Sequence, residues 1–166
     1  MQETVDYARN LGADWCSFLI AVPLVGSEMY DQFVHSGCIG ENFFLEHDIV
    51  YKERQFNTPE ISAADLNEFA YSANLDINFL NNINKVSGLY KDAIELYRDM
   101  VDSYPFHIIG WYCMMECYDL LGERERAEQV RDKISTLVKT DERVNKMFTK
   151  YNDLMQNFSL NSQSLL

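Results

Sequence analysis

Few side chains in this sequence could do chemistry, and they are scattered. Cys113 and Cys117 stand four apart, about one helical turn, with His107 six residues upstream. Thiolate and imidazole are the usual donors to zinc, but a closed site takes four ligands and no second pair follows. The two thiols therefore read as small apolar groups between packed helices. Glu46-His47-Asp48 offers three donors in a row, which regular backbone cannot turn toward one ion. His35, just before Gly37, reads as a helix-closing residue, where a partly charged imidazole is favourable. Gly37-Cys38-Ile39-Gly40 lacks the Lys-Ser that accompanies a phosphate-cradling loop, and no nucleophile elbow, dinucleotide-binding glycine pattern or metalloprotease helix occurs. Glu123-Arg124-Glu125-Arg126 reads either as a solvated first helical turn or as a docking patch.

The composition excludes more than it suggests. A chain of 166 residues, 47% apolar and 24% charged, holds one ordinary domain or two small ones. With 26 acidic residues against 14 Lys and Arg, the net charge is −12. Without a basic stripe, neither a nucleic-acid groove nor docking on an anionic membrane is expected. No apolar run reaches the ~20 residues that span a bilayer, and no basic start leads into an apolar leader core. Four cysteines without scaffold spacing suit a reducing compartment, so a cytoplasmic location is expected. The charge is also uneven, net −9 over residues 1–70 and −3 over 71–166, which suggests two architectural pieces.

The elements follow from spacing. Val5, Ala8 and Leu11 share a helical face that Gly12 closes. Residues 15–22 are almost continuously apolar up to Pro23, the pattern of a strand buried on both faces. Gly26-Ser27 then opens a helix that Gly37 stops. Residues 38–61 keep no period; an irregular crossing with one short strand near Ile49 to Tyr51 is expected. Ser62-Ala63-Ala64-Asp65 has the form of a helix start, and Leu66, Phe69, Ala70, Ala73, Ile77, Leu80 and Ile83 carry helical spacing onward. Four helices are expected after it, near 89–103, 107–121, 123–138 and 141–157, with 159–166 a disordered tail. The fold class is thus mainly α, its helical-hairpin region (62–158) preceded by a truncated α/β segment (1–61) with one or two short strands.

The second half repeats itself at an offset of 34 residues: Gly88 falls on Gly122, Ala93 on Ala127, Leu96 on Val130 and Ile77 on Trp111. With Ala93-x3-Tyr97, Pro105 and Trp111-x2-Met114-Met115-x2-Tyr118, this region resembles the tetratricopeptide helix hairpin. Arg131 and Asn84 depart from that pattern, so two degenerate units and a capping helix are expected, alternatively a plain helical bundle. The resemblance implies a surface for a peptide or another protein.

Residues 3–61 resemble a second family. Glu3-Thr4-Val5-Asp6-Tyr7-Ala8, Gly12-Ala13-Asp14-Trp15 and Phe18-Leu19-Ile20-Ala21-Val22-Pro23-Leu24-Val25-Gly26-Ser27-Glu28-Met29-Tyr30 are similar to the carboxyl-terminal end of the radical SAM barrel. The likeness is to the subgroup that often carries a cobalamin-binding domain, and Asn57-Thr58-Pro59-Glu60-Ile61-Ser62 is similar to the stretch beyond that barrel. This resemblance implies that the chain is the end of a longer iron–sulfur enzyme and not catalytic alone. The parent would hold a 4Fe-4S cluster, S-adenosylmethionine and, in the subgroup, cobalamin; the chain itself has no Cys-x3-Cys-x2-Cys, its cysteines being 22, 75 and 4 apart. Carried over by position, Ile20, Val22, Pro23 and Leu24 would form the edge of the S-adenosylmethionine pocket in the full-length parent, although Val25 replaces the family's second proline. The missing barrel is then the partner in cis. In the chain alone the orphan strand calls for a partner of its own, such as a homodimer.

Overall fold

The computed structural model describes residues 1–47 and 53–155. Those residues form nine α-helices, one π-helical turn and one 3-10 turn, so the molecule is mainly helical. Helix α1 (Gln2–Leu11) ends at Gly12, whose φ of 68° suits a residue without a Cβ. Helix α2 (Glu28–His35) begins where the Ser27 hydroxyl accepts the Tyr30 amide at 3.2 Å. A single turn, α3 (Phe43–Glu46), follows. Ser62 starts α4 (Ala63–Leu75) as its sequence implies, accepting the Asp65 amide at 3.0 Å.

The long helix expected through Ile83 does not continue. Beyond Leu75 the chain widens into a π-helical turn (Asp76–Leu80) and then breaks, and the Asn82 carboxamide accepts the Asn84 amide to begin α5 (Ile83–Val86). Helices α6 (Tyr90–Ser103), α7 (Ile108–Leu120), α8 (Arg124–Thr140) and α9 (Glu142–Lys150) complete the chain. The last is shorter than expected and passes into a 3-10 turn at Asn152–Leu154.

Helix α7 is the centre, with α6 packed on one side and α8 on the other. It is apolar around most of its circumference, as a helix enclosed by neighbours must be. Ile108, Ile109 and Met115 of α7 meet Tyr97 of α6, Ile134 of α8 and Phe79 of the π turn in one core.

The 34-residue offset appears in the backbone itself. Gly88 and Gly122 take φ of 79° and 75°. The Leu89 amide bonds to the Asn84 carbonyl at 2.8 Å, and 34 residues on the Glu123 amide bonds to the Tyr118 carbonyl at 2.9 Å. Ala93 and Ala127, a few residues into α6 and α8, are both buried where a larger side chain would push the helices apart.

One expectation needs correction. The apolar run 15–22 does not form a strand; among the described residues no strand exists at all. A strand requires a hydrogen-bonded neighbour, and the described residues supply none beside this segment. Residues 12–27 instead cross the helices without regular structure, covering them with one set of side chains. The strand expected near Ile49 to Tyr51 and the tail 159–166 lie outside the described residues.

Candidate functional site

The start of the apolar segment, Asp14 to Cys16, is held by side-chain amides in place of a sheet. Asn78, wholly enclosed at 0% exposure in the π turn, receives the Cys16 amide on its Oδ1 at 2.7 Å. Its Nδ2 donates to the Cys16 carbonyl at 2.7 Å and to Asn74 Oδ1 at 2.6 Å. The carboxamide thus answers both main-chain groups of one residue, as a neighbouring strand would. Four residues on, Asn82 donates to the Asp14 carbonyl at 2.8 Å, and Asn84 Nδ2 reaches the Asp14 carboxylate at 3.1 Å. The apolar flank of this clamp has Trp15 edge-on to Phe79 at 5.2 Å. Val5, Ala73 and Ile77 form a small core with Phe18 and Phe69, and Arg9 pairs with Asp76 at 2.6 Å.

Sequence reasoning noted Asn84 only as a departure from the repeat pattern and did not single out Asn74, Asn78 or Asn82. The signal was present: Asn74, Asn78 and Asn82 recur every fourth residue among Leu75, Ile77, Phe79 and Leu80. Such a face, one helical turn apart, must satisfy its amides against something.

The four residues assigned to the S-adenosylmethionine edge do not share one surface. Ile20 and Pro23 are buried, Val22 is partly covered and Leu24 is exposed. Val22 and Pro23 reach a cavity of about 10 Å³ against Phe43, Phe44, Phe56 and Arg54, room for one water. The Arg54 guanidinium lies over the rings of Phe33 and Phe56, 5.9 and 5.5 Å from their centroids, and its Nε–H has no acceptor among the described residues.

The sulfur and imidazole groups do not converge on a metal. Among the described residues no three His, Cys, Asp or Glu side chains are grouped to hold one, so the residues present do not fit an iron–sulfur cluster. Cys113 and Cys117 are buried in α7; burial raises both thiols, Cys117 to about 11, and keeps them protonated and unreactive. Nearby, Lys85 pairs with Glu116, whose other oxygen accepts the Tyr112 hydroxyl at 2.7 Å. His47 stacks on Phe43 at 4.4 Å, and His35 is exposed in the last turn of α2.

His107 has a structural post. It caps α7, its Nδ1 accepting the Gly110 amide at 3.1 Å, and its ring stacks on Phe79 at 4.5 Å. Burial lowers its pKa to about 4. The unfolded chain, titrating near 6.5, therefore takes up the proton first as pH falls. Stability from this residue is complete above pH 6.5 and declines toward pH 4, by roughly 3 kcal/mol in all. Urea unfolding from pH 7 to 4 should show that loss, and His107→Asn, which keeps a cap without the titration, should flatten it.

No helix among the described residues is long and apolar enough to cross a membrane. No protein-family model matches the chain, and the searches of curated proteins and of solved structures returned no match to it.

Proposed function

We propose that the chain is the carboxyl-terminal part of a radical SAM iron–sulfur enzyme, contributing structure rather than catalysis. The observation that supports this reading is the succession of α1, an apolar segment ending at the buried Pro23, and the Ser27-capped α2. That is the order in which the resembled family places its last barrel strand and loop. In the parent, Ile20 and Pro23 would anchor the segment, while Val22 and Leu24 would face the nucleoside end of S-adenosylmethionine. The cluster, and cobalamin if the parent uses it, belong to the preceding barrel. Expression of the whole reading frame, reconstituted with iron and sulfide without oxygen, is expected to give a cluster absorbance, lost when an upstream Cys-x3-Cys-x2-Cys is replaced by serines. A reading frame without that triad overturns the proposal.

A second reading rests on a separate observation, the equivalent turns at Gly88 and Gly122. They support tetratricopeptide-like hairpins, and so a protein–protein interaction module formed by α6 to α8. If the reading frame lacks the triad while the full chain binds a defined protein partner at micromolar concentration, this reading replaces the first.

A further inference from the structure

Tyrosine hydroxyls apart, the buried polar side chains among the described residues are Asn78, Asn82 and Asn84. All three turn on one short stretch, Asp14 to Cys16. The main-chain groups they answer are the Asp14 carbonyl and both the N–H and C=O of Cys16. In an extended chain such groups of alternate residues point to one edge, so the carboxamides grip that edge. Side chains are read as well. Asn84 Nδ2 donates to the Asp14 carboxylate at 3.1 Å, and the Trp15 ring stands edge-on to Phe79 at 5.2 Å. Main-chain bonds for grip and side-chain contacts for selection are the means by which proteins hold extended peptides.

The clamp is oriented by its own helical turns rather than by what it holds. Asn74 Oδ1 accepts from Asn78 Nδ2 at 2.6 Å, and Asn82 Oδ1 accepts the Asn84 amide at 3.0 Å. Asn78 Oδ1 and one N–H each of Asn78 and Asn82 are thereby aimed outward, and a preset site loses less on binding. Asn78 lies in the π-helical turn, a widening of a kind that recurs at functional sites. A permanent strap needs only apolar cover, whereas three buried carboxamides are costly unless a main chain answers them. The stretch itself is lightly held elsewhere. From residue 15 to 23, no main-chain group bonds to another among the described residues. It joins α1 through Gly12, at φ 68° with open space where a Cβ would stand.

We propose that Asp14-Trp15-Cys16 fills in cis a binding site for an extended peptide of another protein, one with acidic, aromatic and small residues in succession. A partner peptide takes its place when the stretch swings away. Because the internal occupant is tethered, the partner competes against an effective concentration on the order of millimolar, which closes the site to weak ligands. The proposal rests on neither the enzyme reading nor the helical-hairpin reading.

The probe that tests it is an end-blocked, fluorescein-labelled peptide with the sequence of residues 12–18, carrying Cys16→Ser. Full-length Asp14→Ala/Trp15→Ala, in which the internal occupant is loosened, should bind the probe at least tenfold more tightly than wild type does by fluorescence polarisation. Methylating the probe's amide nitrogen at position 16 removes the donor that Asn78 Oδ1 accepts, and should weaken binding at least tenfold. In the wild-type chain, millimolar probe should speed hydrogen exchange of the Cys16 amide while the amides of α7 stay slow. A variant that keeps its helical circular dichroism but does not bind the probe overturns the proposal. So does equal binding of the methylated probe. If the variant loses its helical signal, the wild-type exchange decides, and a Cys16 amide indifferent to the probe overturns it. A wild-type dimer that the probe splits also overturns it, since a second copy is then the occupant.

Discussion

Replacing Phe79 with alanine is expected to remove about 3–5 kcal/mol of stability, a large share of what a domain of this size possesses. The ring is enclosed by three others: Trp15 edge-on at 5.2 Å, and Tyr97 and His107 stacked at 5.9 and 4.5 Å. Its carbonyl also accepts the Tyr97 hydroxyl at 2.7 Å, a bond inside the core. Truncation opens a space bordered by rings from the N-terminal segment, α6 and the start of α7. Each is fixed by its own hydrogen bonds or packing, so collapse into the space is restricted. Urea denaturation should show a lowered midpoint with an unchanged slope. A loss below about 1 kcal/mol would mean that these rings do not share one packed site.

Asn78→Ala is expected to cost about 2–4 kcal/mol, because both main-chain groups of Cys16 lose their partner under cover. Asn78→Asp separates geometry from charge. The carboxylate still accepts the Cys16 amide, but its second oxygen now faces the Cys16 carbonyl and Asn74 Oδ1, where a donor had been. At neutral pH this variant should be no more stable than the alanine variant. The charged form is disfavoured in the folded state, so the carboxyl's folded pKa lies above its unfolded value. The penalty is full above the folded pKa and disappears as pH falls below the unfolded one, because the protonated acid regains a donor. Relative to wild type, Asn78→Asp should therefore recover stability on acidification while Asn78→Ala does not. Parallel pH dependence of the two variants would exclude the two-bond clamp.

Most of the helices were legible because they rest on local rules. Gly12, Ser27 and Ser62 mark termini by the conformation or hydrogen bond each residue type supplies, and the structure uses all three. The offset linking Gly88 to Gly122 carried through to matching backbone bonds for the same reason. The strand expected over 15–22 depended on something a local pattern does not contain, the identity of the neighbour. A continuous apolar run is satisfied by a sheet or, as here, by covering helices while a carboxamide answers one residue. Ile20, Val22, Pro23 and Leu24 were grouped by position in the resembled family's last strand and loop. The structure divides them between interior and solvent, a division that only the packing of the segment decides. The widening of the chain at Asp76–Leu80 has no periodic signature; its trace was the row of asparagines it turns inward.

That clamp joins residues far apart along the chain. Cys16 and Asn78 are 62 residues apart, Asp14 and Asn84 70, whereas the turns at Gly88 and Gly122 are closed by neighbours a few residues away. Loop closure must be met before such distant contacts return anything, so folding should begin in α6 to α8, with the first 27 residues fastened afterward. Opening follows the reverse order. The amides of α7 should exchange only when the whole molecule unfolds, and the N-terminal segment should come free at a lower free energy, exposing the Asn78 carboxamide to water while the carboxyl-terminal helices stay assembled.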